Sequence, residues 1–173
     1  MPVTRLIEQG DAEALAALLT ANREFLEPWE PEHDESFFTL ARQRAVIRRH
    51  LEEHARGQTV PFAILDESGD LAGRITLNGV VRGAFQSASV GYWVSRERNG
   101  RGLATAAVAD VISYAFGPVG LHRLQAETLP HNVRSQRVLA RNGFRPFALA
   151  PGFLKIEGRW QDHVLFQLLN ESC

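Results

Sequence analysis

Apolar residues recur at helical spacing in four stretches of the chain. The longest stretch predicts a helix that starts at Asp34 or Ser36 and stops just before Gly57. Its predicted buried face carries Phe37, Leu40, Ile47 and Leu51. The other stretches predict helices over residues 11–21, 103–116 and 132–141, the last with Asn132 as its N-cap.

Shorter apolar runs between turn residues predict strands over residues 3–7, 60–66, 71–81, 88–95, 122–129, 153–156 and 160–168. The order is strand, two helices, three strands, helix, strand, helix and two strands. This order predicts a single α+β domain over residues 1–173, with a sheet that is partly antiparallel and partly parallel. The parallel pair is expected between residues 88–95 and 122–129, because a helix crosses from one to the other.

Composition narrows the class of protein. The 173 residues include 45% hydrophobic and 23% charged ones, the balance of a globular domain with its own core. A formal charge of −1 argues against nonspecific nucleic-acid binding, and no apolar run is long enough for a membrane span. Residues 1–5 lack the basic start of a signal peptide, so we expect a cytoplasmic protein. The only cysteine, Cys173, excludes a disulfide framework.

A glycine-rich turn joins the predicted strand 88–95 to the Ala-rich helix that follows it. Gly100 and Gly102 let the backbone bend tightly and approach a ligand, and the N–H groups at the start of the helix form a natural phosphate site. A Walker loop is excluded because the chain's only lysine is Lys155. A dinucleotide fingerprint lacks its third glycine, which is Thr105 here. The turn therefore predicts a site for a diphosphate-bearing cofactor.

Charge is unevenly distributed along the chain. Eight arginines and three acidic residues lie between Arg96 and Arg145, whereas six acidic residues and no lysine or arginine lie between Glu24 and Glu35. The first region suits an anionic ligand and the second a cationic one. Both charged regions can also be explained as ordinary solvated surface charge. This explanation is weaker for the arginines, because they bracket a glycine turn.

Several separated motifs stand on these elements. They are Asn99-Gly100-Arg101-Gly102-Leu103-Ala104, Pro130-His131-Asn132-Val133-Arg134-Ser135 followed by Leu139 and Gly143-Phe144, Gly91-Tyr92-Trp93, and two Trp-containing segments at 26–31 and 158–165. Together they resemble the GCN5-related N-acetyltransferase (GNAT) family over nearly the whole chain. The nearest subgroup is that of the RimJ- and RimL-like ribosomal-protein alanine N-acetyltransferases. The resemblance implies the GNAT fold, a mixed sheet of six to seven strands flanked by helices.

The resemblance also implies acetyl-coenzyme A as the co-substrate, held by the glycine turn and the neighbouring elements. The implied binding residues are Trp93, Val94, Asn99, Gly100, Arg101, Gly102, Leu103, Ala104, Thr105, Asn132 and Ser135. Asn99 stands where the family usually has Gln or Arg. A bulge in strand 88–95 is expected to splay it from strand 122–129. A catalytic main-chain N–H near Trp93 or Val94 is then expected to face the thioester oxygen in the gap.

Few side chains are implied in catalysis. Ser135 is the candidate for protonating the leaving thiolate, because the Tyr that many relatives use is replaced by Leu139, and Tyr92 and Tyr114 are expected to lie elsewhere. Relatives often carry a Glu at the position of Ser89. The identity of the base therefore stays open between a water molecule and Glu30, Glu127, Asp162 or His163.

The acceptor is expected to bind Trp29, Glu30 and Asp162, and Glu30 is also expected to be catalytic. Trp29 and Glu30 lie in the acidic stretch, which suits a cationic amine. His50 and His54 are four residues apart on a predicted helix, but no third ligand accompanies them. We therefore expect no metal site.

These observations predict a cytoplasmic, metal-free N-acetyltransferase that moves acetyl from acetyl-coenzyme A to a primary amine. The favoured acceptor is the α-amine of a protein N-terminus, of the ribosomal-protein alanine type. Two alternatives remain: acetylation of a small amine or antibiotic, and a noncatalytic coenzyme A-binding module. Neither nucleic acid nor a membrane is an expected partner, and the sequence is compatible with a monomer or a homodimer.

Overall fold

A computed structural model describes residues 2–171, which form a seven-stranded sheet with helices on both faces. The strands are β1 (Thr4–Leu6), β2 (Val60–Leu65), β3 (Leu71–Val81), β4 (Ser87–Val94), β5 (Arg123–Thr128), β6 (Arg145–Ile156) and β7 (Arg159–Leu169). Their order in the sheet is β1-β2-β3-β4-β5-β7-β6. Only the β4–β5 pair is parallel among these strands. The predicted mixed α+β architecture is confirmed.

The helices are α1 (Ala12–Ala21), α2 (Arg23–Leu26), α3 (Leu40–Ala55), α4 (Leu103–Phe116) and α5 (Val133–Arg141). The sequence placed the start of α3 too early. Asp34 does accept a backbone N–H, but it caps a separate 3-10 turn over Glu35–Phe38. The cap of α3 is Thr39, whose hydroxyl accepts the N–H of Arg42. Within residues 2–171, no helix is long and apolar enough to cross a membrane.

Strand β6 begins eight residues earlier than the predicted strand 153–156. It is the edge strand, and nearly all of its residues are exposed or half-exposed. An exposed edge strand lacks the alternation of buried and polar positions that identifies inner strands. It also tolerates Pro146 and Pro151, which argue against an inner strand. The strand does carry apolar residues, among them Phe147 and Leu149, which are exposed, so the two prolines explain the shortened prediction.

Two apolar clusters pack on opposite faces of the sheet. On one face α4 and α5 cover inner residues of β2 to β5, with Val108, Val111 and Leu139 fully buried. On the other face α1 and α3 pack through Leu15 and Ile47 on the opposite side of β2 and β4. Successive strand residues face opposite sides of a sheet, so one strand contributes to both clusters. This sandwich fixes both walls of the site described below.

Strands β4 and β5 separate after a short parallel contact. Pairing runs from Ser87–Arg123 to Ser89–Gln125, and both strands then continue without pairing each other. The expected splay is therefore confirmed, but the expected bulge is in the wrong strand. β4 pairs regularly with β3 from Ser89 to Val94, and the irregularity falls in β3 between Asn78 and Val81. The result is a gap at the centre of the sheet.

Candidate active site

The gap between β4 and β5 opens into a cavity of about 740 Å³. Its walls come from β3, β4, β5, α5 and the connection between α1 and α3. Of the site residues predicted from the sequence, it is lined by Trp29, Glu30, Trp93, Val94, Asn99, Ala104, Glu127, Asn132, Ser135 and His163. The predicted site residues outside its lining are Gly100, Arg101, Gly102, Leu103, Thr105 and Asp162. Chain segments that are more than 100 residues apart in sequence therefore meet in one cavity.

The N-terminus of α4 is free of side-chain caps. Its cap residue is Gly102, in the left-handed conformation with φ +80°, and no side chain accepts the first N–H groups of the helix. Gly100 has φ +79°, and a Cβ atom at either glycine would meet no other atom within 4 Å. The first-turn N–H groups of a helix lack intrahelical partners, and here the space in front of them is open. The turn thus fits a phosphate-bearing group, as the sequence predicted.

Polar side chains around this turn serve the loop itself. The Asn99 side-chain amide donates to the carbonyls of Val94 (2.8 Å) and Ser95 (3.0 Å). The Arg98 guanidinium pairs with Asp66 at 2.6 Å. Arg101 is exposed and is the arginine of the turn itself. Asn99 therefore holds the loop that precedes α4 against the end of β4.

Strand alternation decides which main-chain N–H groups of β4 face the gap. The N–H of Ser95, just after β4, donates to the Ala72 carbonyl of β3 at 2.8 Å. N–H groups of alternate residues point to opposite sides of a strand. The N–H of Trp93 therefore points to β3, whereas those of Val94 and Tyr92 point into the gap. Of the two residues considered from the sequence, Val94 is the one placed to donate there.

Tyr92 lies beside Ser135, contrary to the expectation from the sequence. The Tyr92 hydroxyl is 2.8 Å from Ser135 Oγ and also approaches the Ser135 carbonyl. Burial raises the pKa of the Tyr92 phenol to about 12, so it stays protonated at neutral pH. Asn132 caps α5 by accepting the Ser135 N–H at 3.2 Å. The cap holds Ser135 in the first turn of α5, on the cavity wall.

Glu127 is a half-buried carboxyl group on the β5 side of the cavity. Ser89 Oγ lies 2.9 Å from both carboxyl oxygens and donates to them. Burial raises the pKa of Glu127, while the Ser89 hydroxyl and the nearby His163 oppose the rise. Ser89, which stands where relatives often carry a Glu, thus supports a different acid from the neighbouring strand. Glu127 has the burial and the raised pKa of a general base.

Two of the three predicted acceptor residues line the cavity, and the third does not. Trp29 lines the cavity with its ring 5.5 Å from that of His131, and Glu30 lines it close to His33, at 3.5 Å. Asp162 is exposed, accepts the Gly152 N–H at 2.9 Å and does not line the cavity. Its neighbour His163 is buried and does line it. Strand alternation turns one of the two residues inward and the other outward.

No group of three or more potential metal ligands occurs within residues 2–171. His54 Nδ1 lies 3.1 Å from the Thr59 carbonyl, at the end of α3. His50 lies on the cavity wall, where burial lowers its pKa to about 4, with further lowering by Arg74 and Arg49. The two histidines therefore have separate environments.

Comparison with known proteins identifies the family. Residues 3–145 match the Acetyltransferase (GNAT) domain, which is most of the chain. The chain belongs to the GNAT acetyltransferases. The uncapped α4 N-terminus, the splayed β4–β5 pair and the α5 cap all lie within the matched residues.

Relatives within the GNAT family match over almost the full chain. Probable N-acetyltransferase YjcK of Bacillus subtilis is 36% identical over 167 residues, covering 96% of this chain and 92% of the relative. Ribosomal protein uS5-alanine N-acetyltransferase of Escherichia coli is also 36% identical, covering 96% and 86%. The structure of Mycobacterium smegmatis RimJ in complex with CoA-disulfide is 35% identical with a TM-score of 0.94, covering 98% and 82%. The chain is an N-acetyltransferase.

Sequence reasoning about this GNAT domain missed two side chains at the cavity. Tyr92, which the sequence predicts to lie away from the site, belongs to the motif Gly91-Tyr92-Trp93. Arg74 is the only charged residue of β3, a mostly apolar strand. In both cases the signal was a polar group in a buried strand, which calls for a partner or a ligand.

Proposed function

We propose that this chain transfers the acetyl group of acetyl-coenzyme A to the α-amine of a protein N-terminus, of the ribosomal-protein alanine type. The observation that carries this proposal is the 36% identity, over 96% of the chain, to the Escherichia coli enzyme named for uS5 alanine. The likeness to Mycobacterium smegmatis RimJ in its coenzyme A-disulfide complex supports the donor. Such an acceptor implies that the reaction takes place in the cytoplasm.

Glu127 is the proposed base. An α-amine has a pKa of about 8, so most of it is an ammonium group at neutral pH and must lose a proton before it attacks. Glu127 accepts a proton in its ionised form. Its raised pKa makes it a better proton acceptor than an exposed glutamate. Ser89 holds the carboxylate oriented through its 2.9 Å contacts. The amine proton passes to Glu127, and the nitrogen lone pair forms the new N–C bond.

The opposite wall handles the oxygen and the sulfur of the reaction. Acetyl-coenzyme A supplies an acetyl group activated as a thioester. The Val94 N–H, which points into the gap, is the proposed donor to the carbonyl oxygen as negative charge develops. The attached nitrogen then releases its second proton to water as the C–S bond breaks. The proposed proton donor to the departing sulfur is the Ser135 hydroxyl, hydrogen-bonded to Tyr92 at 2.8 Å, and solvent returns a proton to Ser135. Glu30 and Trp29 are proposed to guide the amine.

An acetylation assay tests the proposal. The protein is incubated with acetyl-coenzyme A and one acceptor at a time: peptides with N-terminal alanine, the same peptides with a blocked α-amine, a polyamine and an aminoglycoside. Free thiol is measured, and mass spectrometry locates the acetyl group. We expect acetylation of the peptide α-amine only. Turnover of the polyamine or aminoglycoside in preference to every peptide would overturn the acceptor, and binding of coenzyme A with no turnover would overturn the enzymatic function.

A further inference from the structure

A second cavity of about 400 Å³ adjoins the first on the α3 side of the sheet. Four residues, Glu30, Pro31, His50 and Arg74, line both cavities, so the two share a wall. Three arginines contribute to the second cavity: Arg74 from β3, and Arg42 and Arg49 from α3. None of them belongs to the glycine turn or to the reacting groups proposed above.

Two buried polar atoms in the shared wall have no hydrogen-bond partner among the described residues. They are Nη1 of Arg74 and Nδ1 of His50. A buried donor without a partner costs free energy comparable to a lost hydrogen bond, and the cost is larger when the group is charged. An unmet guanidinium N–H beside a cavity is therefore best explained by a ligand that accepts its hydrogen bond.

The charge of this second cavity favours an anion. Glu30 is the only acidic residue in its lining, and it lies near His33 at 3.5 Å. Among the lining residues, the three arginines exceed this single negative charge. Just outside the lining, Glu53 pairs with Arg49 at 3.5 Å and Asp34 interacts electrostatically with Arg42, so Arg74, with its buried unpartnered N–H, is the main anion-binding group. His50 adds little, because its pKa of about 4 leaves it neutral at physiological pH. The planar guanidinium of arginine also matches the two oxygens of a carboxylate.

Position in the fold separates this anion site from the coenzyme A site. The cap of α4, where a phosphate fits, belongs to the helix layer on the opposite face of the sheet from α3. The second cavity instead adjoins Glu30, on the acceptor side. We propose that it is a subsite for the carboxylate of an acidic side chain near the N-terminus of the acceptor peptide. This inference rests on the proposed function and specifies its substrate class.

Paired peptides test the subsite. Each pair has N-terminal alanine and differs only by Glu or Gln at the second, third or fourth position, within the few residues that an extended chain needs to reach from the first cavity to the second. For at least one position we expect kcat/KM of wild-type protein to be about tenfold higher for the Glu peptide, as for a charge-assisted hydrogen bond. An equal kcat/KM for Glu and Gln at every position would overturn the subsite.

Variants tie the preference to the arginines. Arg74→Gln should reduce the Glu/Gln ratio to about one. Arg49→Gln, at a more exposed group, should reduce the ratio about threefold. The matched control is Arg48→Gln, an exposed residue of the same helix that lines neither cavity, and it should leave the ratio unchanged. If Arg74→Gln does not fold, the contrast between Arg49→Gln and Arg48→Gln decides.

The outcomes also separate this inference from the proposed function. Peptides that are acetylated with no preference for Glu, or a preference that Arg49→Gln and Arg74→Gln leave intact, would refute the subsite and leave the function standing. Failure to acetylate any peptide, together with turnover of small amines, would refute both. A preference that falls in Arg74→Gln and Arg49→Gln but not in Arg48→Gln supports both.

Discussion

The two halves of the active site differ in the groups that they offer to a ligand. The donor half, formed by the turn 99–102, the starts of α4 and α5 and the gap-facing edge of β4, offers mainly backbone N–H groups. The acceptor half, formed by the connection after α2, by α3 and by β3, offers side chains such as Trp29, Glu30 and Arg74. Backbone groups persist when side chains change, so the donor half can remain constant across relatives. Specificity for the acceptor must then lie in the side chains of the other half.

The largest expected effect comes from Glu127, which lies between the two halves. Glu127→Gln should lower kcat/KM for an alanine peptide by about 10²-fold near neutral pH, the typical contribution of general base catalysis. Wild-type activity should fall as the pH drops through the raised pKa of Glu127, because the base is then protonated. Glu127→Gln can use only peptide whose α-amine is already neutral. Its activity should therefore rise with pH until the pH passes about 8, the pKa of the α-amine. A pH–rate profile of both proteins measures this.

Ser89→Ala provides the matched control for this profile. The Ser89 hydroxyl lowers the pKa of Glu127, so its loss should move the acid limb to higher pH while the base remains. Profiles of the same shape in wild type and Glu127→Gln would show that water or another residue is the base.

The next largest effect tests the Tyr92–Ser135 pair in the donor half. Ser135→Ala and Tyr92→Phe should each lower kcat by about 10- to 100-fold, with little change in affinity for coenzyme A, because they act on the departing sulfur. Since the two hydroxyls are hydrogen-bonded at 2.8 Å, the double variant should lose much less than the product of the single losses. Steady-state kinetics and calorimetry separate the two quantities.

Tyr114→Phe is the control for the loss of a phenol hydroxyl. Tyr114 packs edge-on against Phe62 at 5.2 Å and does not line the cavity, so its kcat should stay at the wild-type value. An unchanged kcat in Ser135→Ala would rule out Ser135 as the proton donor.

Much of the donor half could be predicted from the sequence because its signals are local. The strand, the glycine turn and α4 are consecutive, and Gly102 and Asn132 act within a few residues of their own positions. The bounds of α4 agree with the prediction for the same reason. The bulge was assigned to the wrong strand because register depends on the neighbouring strand, which a local pattern does not describe.

The acceptor half could be predicted only in part because distant segments assemble it. Arg74 of β3 meets His50 of α3 only after the sheet and the helix have packed. The sequence predicts Asp162 as the acceptor residue, but the pleat of β7 turns His163 into the cavity and Asp162 away from it. Tyr92 and Ser135 are 43 residues apart, so their contact also had no local signal.

The most direct test of the division into two halves compares one variant from each half with the double variant that combines them. Gly102→Ala places a Cβ at φ +80°, which costs about 1–2 kcal/mol. The free loop can relieve this strain by leaving the conformation that binds the donor, so the KM for acetyl-coenzyme A should rise about tenfold. Gly57→Ala carries the same strain at φ +70° away from the site and controls for stability alone. Arg49→Gln should change only kcat/KM for the acidic peptide. In the double variant we predict that each effect stays with its own substrate and that the two factors multiply; a change in both substrates from either single variant would contradict the account.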